Sequence, residues 1–243
     1  MTISIRRDDE IYRIDGGWFS ARWHFSFDQY RDPEYMGFGN LRVFNDDRLI
    51  PGAIWPMHPH RDIEGLTYVI EGMFRHEDDV GGAPGPLPAG SVQRMTLGRG
   101  AYHSEQNGSK DEPMRFIQMW IMPDQRGLEP GVEQKVLTKE DRRGRLLKAI
   151  SPEGGEAVKV HGDASVFISS LAAGEAVKHE LGEGRGAYFY VISGDVEMNG
   201  EHMATGDAAR IWEEPALEIA AKGESELIVV DVDLTWSFDR WRS

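Results

Sequence analysis

Thr67-Tyr68-Val69-Ile70-Glu71-Gly72 is echoed later in the chain by Phe189-Tyr190-Val191-Ile192-Ser193-Gly194. Each run is rich in β-branched and aromatic residues and closes on a glycine, the composition of a buried strand that ends in a tight turn. A glycine turn follows each run: Pro88-Ala89-Gly90-Ser91 in the first half, Ala204-Thr205-Gly206-Asp207 in the second. This weak internal repeat reads as two similar β units in tandem. Glycine, proline and charged residues cluster between Pro123 and Pro152, which places the join there. We expect one unit over residues 1–135 and a second over 136–243.

Working outward, strand-like runs recur at Leu41 to Phe44, Val92 to Leu97, Arg115 to Met122, Phe167 to Leu171 and Glu226 to Val232. Clusters of Gly, Pro, Asn and Asp separate them, and 28 glycines supply the turns. The pattern predicts an all-β sandwich or barrel. Helix signals are scarce; Thr138 ahead of Lys139, Glu140 and Asp141 could cap one short turn.

Composition narrows the function. The 243 residues carry a formal net charge of −14, which repels phosphate backbones and argues against a nucleic-acid partner. There is no cysteine, so disulfides, thiolate metal sites and thiol nucleophiles are excluded. Residues Met1 to Arg7 open no apolar leader, and Leu227 to Val232 is strand-sized rather than membrane-spanning. We expect a soluble, cytoplasmic protein.

The chemistry concentrates in two trios, His58-Pro59-His60 and His103-Ser104-Glu105. On a strand, residues i and i+2 share a face. Two neighbouring strands could therefore bring His58, His60, His103 and Glu105 onto one ion. Imidazole and carboxylate suit iron(II), the ion we expect first, and also manganese, nickel, cobalt, copper or zinc. Four protein ligands in an octahedral site leave two positions open for substrate or dioxygen. Tetrahedral coordination by the same four side chains would instead make a closed zinc site. Parity does not separate Glu105 from Glu64, which shares the phase of His58 and His60 if that strand runs on unbroken. Arg61 can pair locally or place an acidic substrate group. His24, His76, His161, His179 and His202 have no partner at ligand spacing and read as ordinary surface or core histidines.

These residues resemble the pirin family of the cupin superfamily. The likeness runs through His58-Pro59-His60-Arg61-Asp62-Ile63-Glu64, Thr67 to Gly72, Pro88-Ala89-Gly90, Met95, Gly98-Arg99-Gly100 and His103-Ser104-Glu105. Gly17-Trp18, Trp23 to Phe27, Met36-Gly37-Phe38, Leu41 to Asp47 and Gln118 to Pro123 extend it over nearly the whole chain. It implies a bicupin, two tandem jelly-roll-like β-barrels, with one mononuclear metal in the amino-terminal barrel held by His58, His60, His103 and Glu105. Glu64 then falls to a supporting role. It also implies a quercetin 2,3-dioxygenase-like activity on a flavonoid-like small molecule and O2. Glu105 would be the catalytic base at the flavonol 3-hydroxyl, and the opened ring would release CO. The alternative is a non-enzymatic, metal-dependent binding or regulatory module.

Tyr102, bulky and next to His103, departs from the family pattern and is expected to reshape the pocket. Phe116, Met119 and Tyr68 are candidates for its lining. Matching Gly72 to Gly194 without gaps sets His58 and His60 against Glu180 and Gly182. Matching Gly90 to Gly206 sets His103 and Glu105 against Ile219 and Ala221. The second barrel is therefore expected to hold no metal. Trp236, Phe238 and Trp241 are expected to cover an apolar patch or an interface.

Overall fold

A computed structural model describes residues 2–82 and 85–237. The strand runs read from the sequence are all present, with bounds that move by a few residues. The run at Leu41 becomes Leu41–Leu49, and the two repeats lie in Glu64–Glu71 and Arg185–Ser193. Gly72 and Gly194, the repeat's closing residues, have φ of 80° and 99°, a backbone region L side chains avoid. A Cβ at either would meet a backbone carbonyl oxygen at 2.5 Å or less, that of Pro113 or of Glu224. Both turns thus demand glycine, and the repeat is structural as well as textual. The expected short helical turn is a 3-10 helix at Glu140–Arg142, where the Thr138 amide donates to Asp141 Oδ2 at 2.7 Å.

Each unit is a pair of sheets packed in jelly-roll fashion rather than a closed barrel. In the first, a seven-stranded sheet centred on Glu64–Glu71, Met114–Ile121 and Leu41–Leu49 faces a four-stranded sheet. The smaller sheet places Ile54–His60 beside Ala101–Asn107, and that beside Met73–Asp78. The second unit repeats this with a seven-stranded sheet around Arg185–Ser193 and a four-stranded one containing Ala176–Glu180 and Ala216–Ala221.

The first strand, Thr2–Arg6, does not stay with the unit expected to span 1–135. It pairs antiparallel with Ala208–Trp212, as the edge of the second unit's large sheet. The two large sheets pack against each other through one core holding Phe25, Leu41, Phe44 and Ile117 from the first unit and Ile150, Tyr188, Tyr190 and Ile228 from the second. A charged knot is buried with it: Arg115 grips Asp46 with two bonds of 2.8 and 2.7 Å, and the Tyr190 hydroxyl donates to the same carboxylate at 2.6 Å. Buried charges survive only when paired and fully bonded, so this knot sets the register between units. Trp236 packs on a cluster of Ile63, Met95, Leu97 and Met122. Phe238 and Trp241 lie outside the described residues. No described helix is long and apolar enough to cross a membrane.

Candidate metal centre and its cavity

Both histidine-bearing trios are on strands, Ile54–His60 and Ala101–Asn107, and the two strands pair directly with His58 opposite His103. Alternation does the rest. His58 and His60 turn inward while Met57 and Pro59 are exposed. The ligand nitrogens of His58, His60 and His103 all lie within 4.8 Å of one another, the sole such cluster among the described residues. Glu105 is buried on the same strand, after a bulge that shifts the pairing between His103 and Glu105. It is not part of the three-histidine cluster, but it lines the same cavity as His58 and His60.

The nitrogens are prepared for a cation. His58 Nδ1 donates to the Pro56 carbonyl at 2.7 Å, which leaves Nε2 as the free lone pair. His103 Nε2 is buried and without a protein partner. An orphaned buried polar atom costs free energy unless something binds it, and a divalent transition ion suits three imidazoles. Burial, then the neighbouring imidazoles, push the His103 pKa down to about 2; burial pushes His60 to about 4. Both are therefore neutral, ligand-ready rings at ordinary pH. Burial raises Glu105 to about 7, against the opposing pull of the bond from Gln118 Nε2 at 2.6 Å.

His76, read from sequence as an ordinary histidine, stands directly behind His103. Its Nε2 is 3.3 Å from His103 Nδ1, and its Nδ1 is 3.4 Å from Asp78 Oδ2, with both side chains fully buried. The hydrogen bond between His76 Nε2 and His103 Nδ1 orients the His103 ring and leaves its Nε2 for the cluster. Asp78 is itself fixed: its Oδ1 accepts from the amides of Val80 and Gly81 at 2.9 and 2.7 Å. The strand register, which sets Glu105 opposite His76, is what brings this group in.

Glu64 is elsewhere. The strand does not run on: Asp62, at φ 56°, breaks it, and Glu64 begins a new one. The Glu64 carboxylate accepts the His161 amide at 3.0 Å and lies 3.2 Å from its Nδ1, tying the first unit to the second. Arg61 lies 3.7 Å from Asp62, the local pairing. Tyr102 is exposed on the outer face and lines a shallow depression with Pro59 and Arg61, so it does not reshape the cavity. The reason is parity: its neighbours His103 and Ala101 take the inward direction.

The cavity itself has a volume of about 750 Å³. Its walls are Phe19, Trp23, Phe27, Trp55 and Trp120, and its polar groups include Asn45, Asp47, Gln118 and Glu105. Trp120 stacks edge-on against His60 at 4.7 Å between ring centres, with Phe27 5.4 Å beyond it. The expected lining of Phe116, Met119 and Tyr68 is replaced. All three are fully buried in packed clusters, Met119 and Tyr68 on the opposite faces of their strands. On Leu41–Leu49, Val43, Asn45 and Asp47 face the cavity while Phe44 and Asp46 face the second unit. Asp47 has its pKa raised well above the carboxylate range by burial and then by Glu105.

The second unit does not repeat the centre. By strand register, Val177 opposite Ile219 replaces His58 opposite His103. His179, rather than Gly182, then takes the place of His60, and the exposed Glu180 points outward. The ungapped match misses because the turn and the strand that follow are both longer in the second unit. His179 Nε2 is bonded to Asp231 at 2.7 Å and packs on Phe167, so it is engaged.

Comparison with known proteins agrees with this layout. The Pirin family model matches residues 5–121, and the quercetinase C-terminal cupin domain matches residues 149–232. The chain is 37% identical over 231 residues to the quercetin 2,3-dioxygenase of Escherichia coli K12, covering 95% of this chain and 98% of that one. It is 38% identical to a pirin-like protein of Caulobacter vibrioides, over 92% and 96% of the two chains. The crystal structure of the bacterial pirin YhhW of Escherichia coli in complex with nickel(II) superposes with a TM-score of 0.89 at 36% identity, covering 96% of this chain and 99% of that one.

Proposed function

The chain belongs to the pirin family, and on that premise we propose that it is a metal-dependent dioxygenase that opens a flavonol such as quercetin with O2 and releases CO. The observation that carries this reading is the meeting of three imidazoles with a cavity of about 750 Å³ walled by five aromatic side chains. A flat polyphenol buries its faces against such walls while its oxygens reach the polar floor.

His58, His60 and His103 would hold the ion, with Glu105 as the fourth ligand. When bound, the ion, iron(II) in this reading, supplies Lewis acidity toward a ring hydroxyl and redox access to O2. The protein does the rest. Phe27 and Trp120 orient the ring system and exclude water. Glu105, whose burial favours the protonated form before an ion binds, is the carboxylate placed to take a proton from the flavonol 3-hydroxyl. Gln118 holds the carboxylate in place as the proton arrives. Asp47, whose pKa burial raises, lines the same cavity within the substrate's reach.

The test is to load the protein separately with iron, manganese, nickel, cobalt or copper, add quercetin in air, and follow its absorbance and headspace CO. Loss of quercetin with matching CO is expected for at least one ion. Glu105→Gln should cost turnover far more than thermal stability. Stoichiometric metal with no turnover under any ion would instead favour a binding or regulatory module.

A further inference from the structure

The cavity carries two cations that flavonol cleavage does not use. Arg31 and Arg42 both line it. Arg42 Nη1 donates to the Ser26 carbonyl at 2.8 Å, and Arg31 Nη1 to the Tyr30 carbonyl at 3.0 Å. Neither holds a carboxylate among the described residues. Elsewhere the chain pairs its arginines: Arg22, Arg94, Arg115 and Arg185 each grip an aspartate or glutamate. Burial, and then the like charge of Arg31, lower the pKa of Arg42, so the two guanidiniums press on each other. Arg42, half-buried and unpaired beside aromatic walls, is held at a cost that a bound anion would relieve.

The opposing charges in the cavity are few. Glu105 is engaged by Gln118 Nε2 at 2.6 Å, Asp47 is buried on Leu41–Leu49, and neither is paired with Arg31 or Arg42 among the described residues. Asp28, exposed at the rim, is the remaining carboxylate in the lining. In a chain of net charge −14, a positive spot inside the substrate cavity is a local exception to the overall field.

We propose that Arg31 and Arg42 together bind a carboxylate of the substrate, so that the preferred substrate is a planar hydroxylated aromatic acid rather than a neutral polyphenol. This rests on the reading that the cavity presents a ring hydroxyl to the histidine cluster. The fork of a guanidinium matches a carboxylate and is charged at every relevant pH. Arg42, half-buried and anchored to Ser26, is the fixed member; Arg31, exposed at the mouth, closes on the anion from outside.

The experiment compares two probes by calorimetry on nickel-loaded protein: 2-naphthol and 6-hydroxy-2-naphthoate, which differ in the carboxylate alone. The naphthoate should bind about ten-fold or more tighter, as charged hydrogen bonds warrant. That preference should fade with salt and vanish in Arg31→Gln/Arg42→Gln. Arg42→Lys, which keeps the charge but loses the fork, should retain only part of it. Arg31→Gln alone, at an exposed site that does not affect folding, should reduce it. Equal affinities in the wild type, a preference that survives the double substitution, or no binding of either probe would each overturn the proposal. Quercetin turnover is measured separately, so an anion preference without turnover refutes the dioxygenase reading alone. Turnover without the preference refutes this one alone.

Discussion

The two units share a scaffold and differ in what they point inward. Where the first carries His58, His60, His103 and Glu105, register and sequence give the second Val177, His179, Ile219 and Ala221. The second interior is closed by Leu181, Phe189, Met198, Met203 and Ile219 in one apolar cluster. The first keeps a cavity of about 750 Å³ and a set of polar side chains without full partners. Burying one such aliphatic or aromatic side chain contributes about 1.5–3 kcal/mol. The first unit forgoes several of these contributions. It is therefore the weaker half on packing grounds, and a bound ion is what offsets the deficit. The second unit repays in rigidity: the shared core and the Asp46–Arg115–Tyr190 knot brace the sheet behind the cavity.

The largest effect that tests this contrast is on metal content. His103→Ala should remove nearly all bound metal by elemental assay, while His179→Ala in the second unit should leave it unchanged. Metal lost equally from both would dissolve the distinction. Next comes removal of the ion. At a hundred-fold excess over its dissociation constant a ligand stabilises by about 2.7 kcal/mol. Chelation should therefore speed hydrogen exchange about a hundred-fold in Ile54–His60 and Ala101–Asn107, with little change in Ala176–Glu180 or Ala216–Ala221. Uniform loss across both units would show one cooperative body instead.

Third, His76→Ala should weaken metal binding by about 10–100-fold, the usual consequence of losing the group that aims a ligand. A competition titration reads this directly, and an unchanged affinity would reduce His76 to packing. The last effect is on pH dependence without metal. His60, His76 and His103 are depressed to about 4, 4 and 2, so the stability they hold is present above about 6.5 and is lost as pH falls. Glu105, raised to about 7, and Asp47, raised well above its usual range, act in the opposite sense: they favour folding when protonated. With His24, which burial depresses to about 3, four histidines stand against two carboxyls and leave about two protons, or at most about 2.7 kcal/mol per pH unit between pH 4.5 and 6.5. Above that window only the carboxyls act, so the metal-free protein should melt highest near pH 6.5. A monotonic rise through pH 8 would show that Glu105 and Asp47 are ionised in the fold.

Much of this was legible in the residues. Strands such as Glu64–Glu71 and Arg185–Ser193 announce themselves by composition and by glycines no other residue can replace. The His-x-His and His-x-Glu trios foretell their faces because a strand's period is two. What failed was whatever depends on a partner far away in the chain. His76 reaches His103 through a hairpin register. Trp23 and Arg42 reach the cavity from strands of the sheet that holds Gln118 and Trp120, and Phe27 and Arg31 from the connection between those two strands. Phe116, Met119 and Tyr68 were misplaced because a continuous apolar run, buried on both faces, carries no sign of which face is which.

The strand exchange at Thr2–Arg6 has a temporal side. That segment leaves the ribosome about two hundred residues ahead of its neighbour Ala208–Trp212. At about 5–20 residues per second, roughly ten to forty seconds separate the two. For that interval the nascent chain carries an orphan ribbon that must stay unattached. The final sheet is laced shut from its oldest end only when its youngest end arrives.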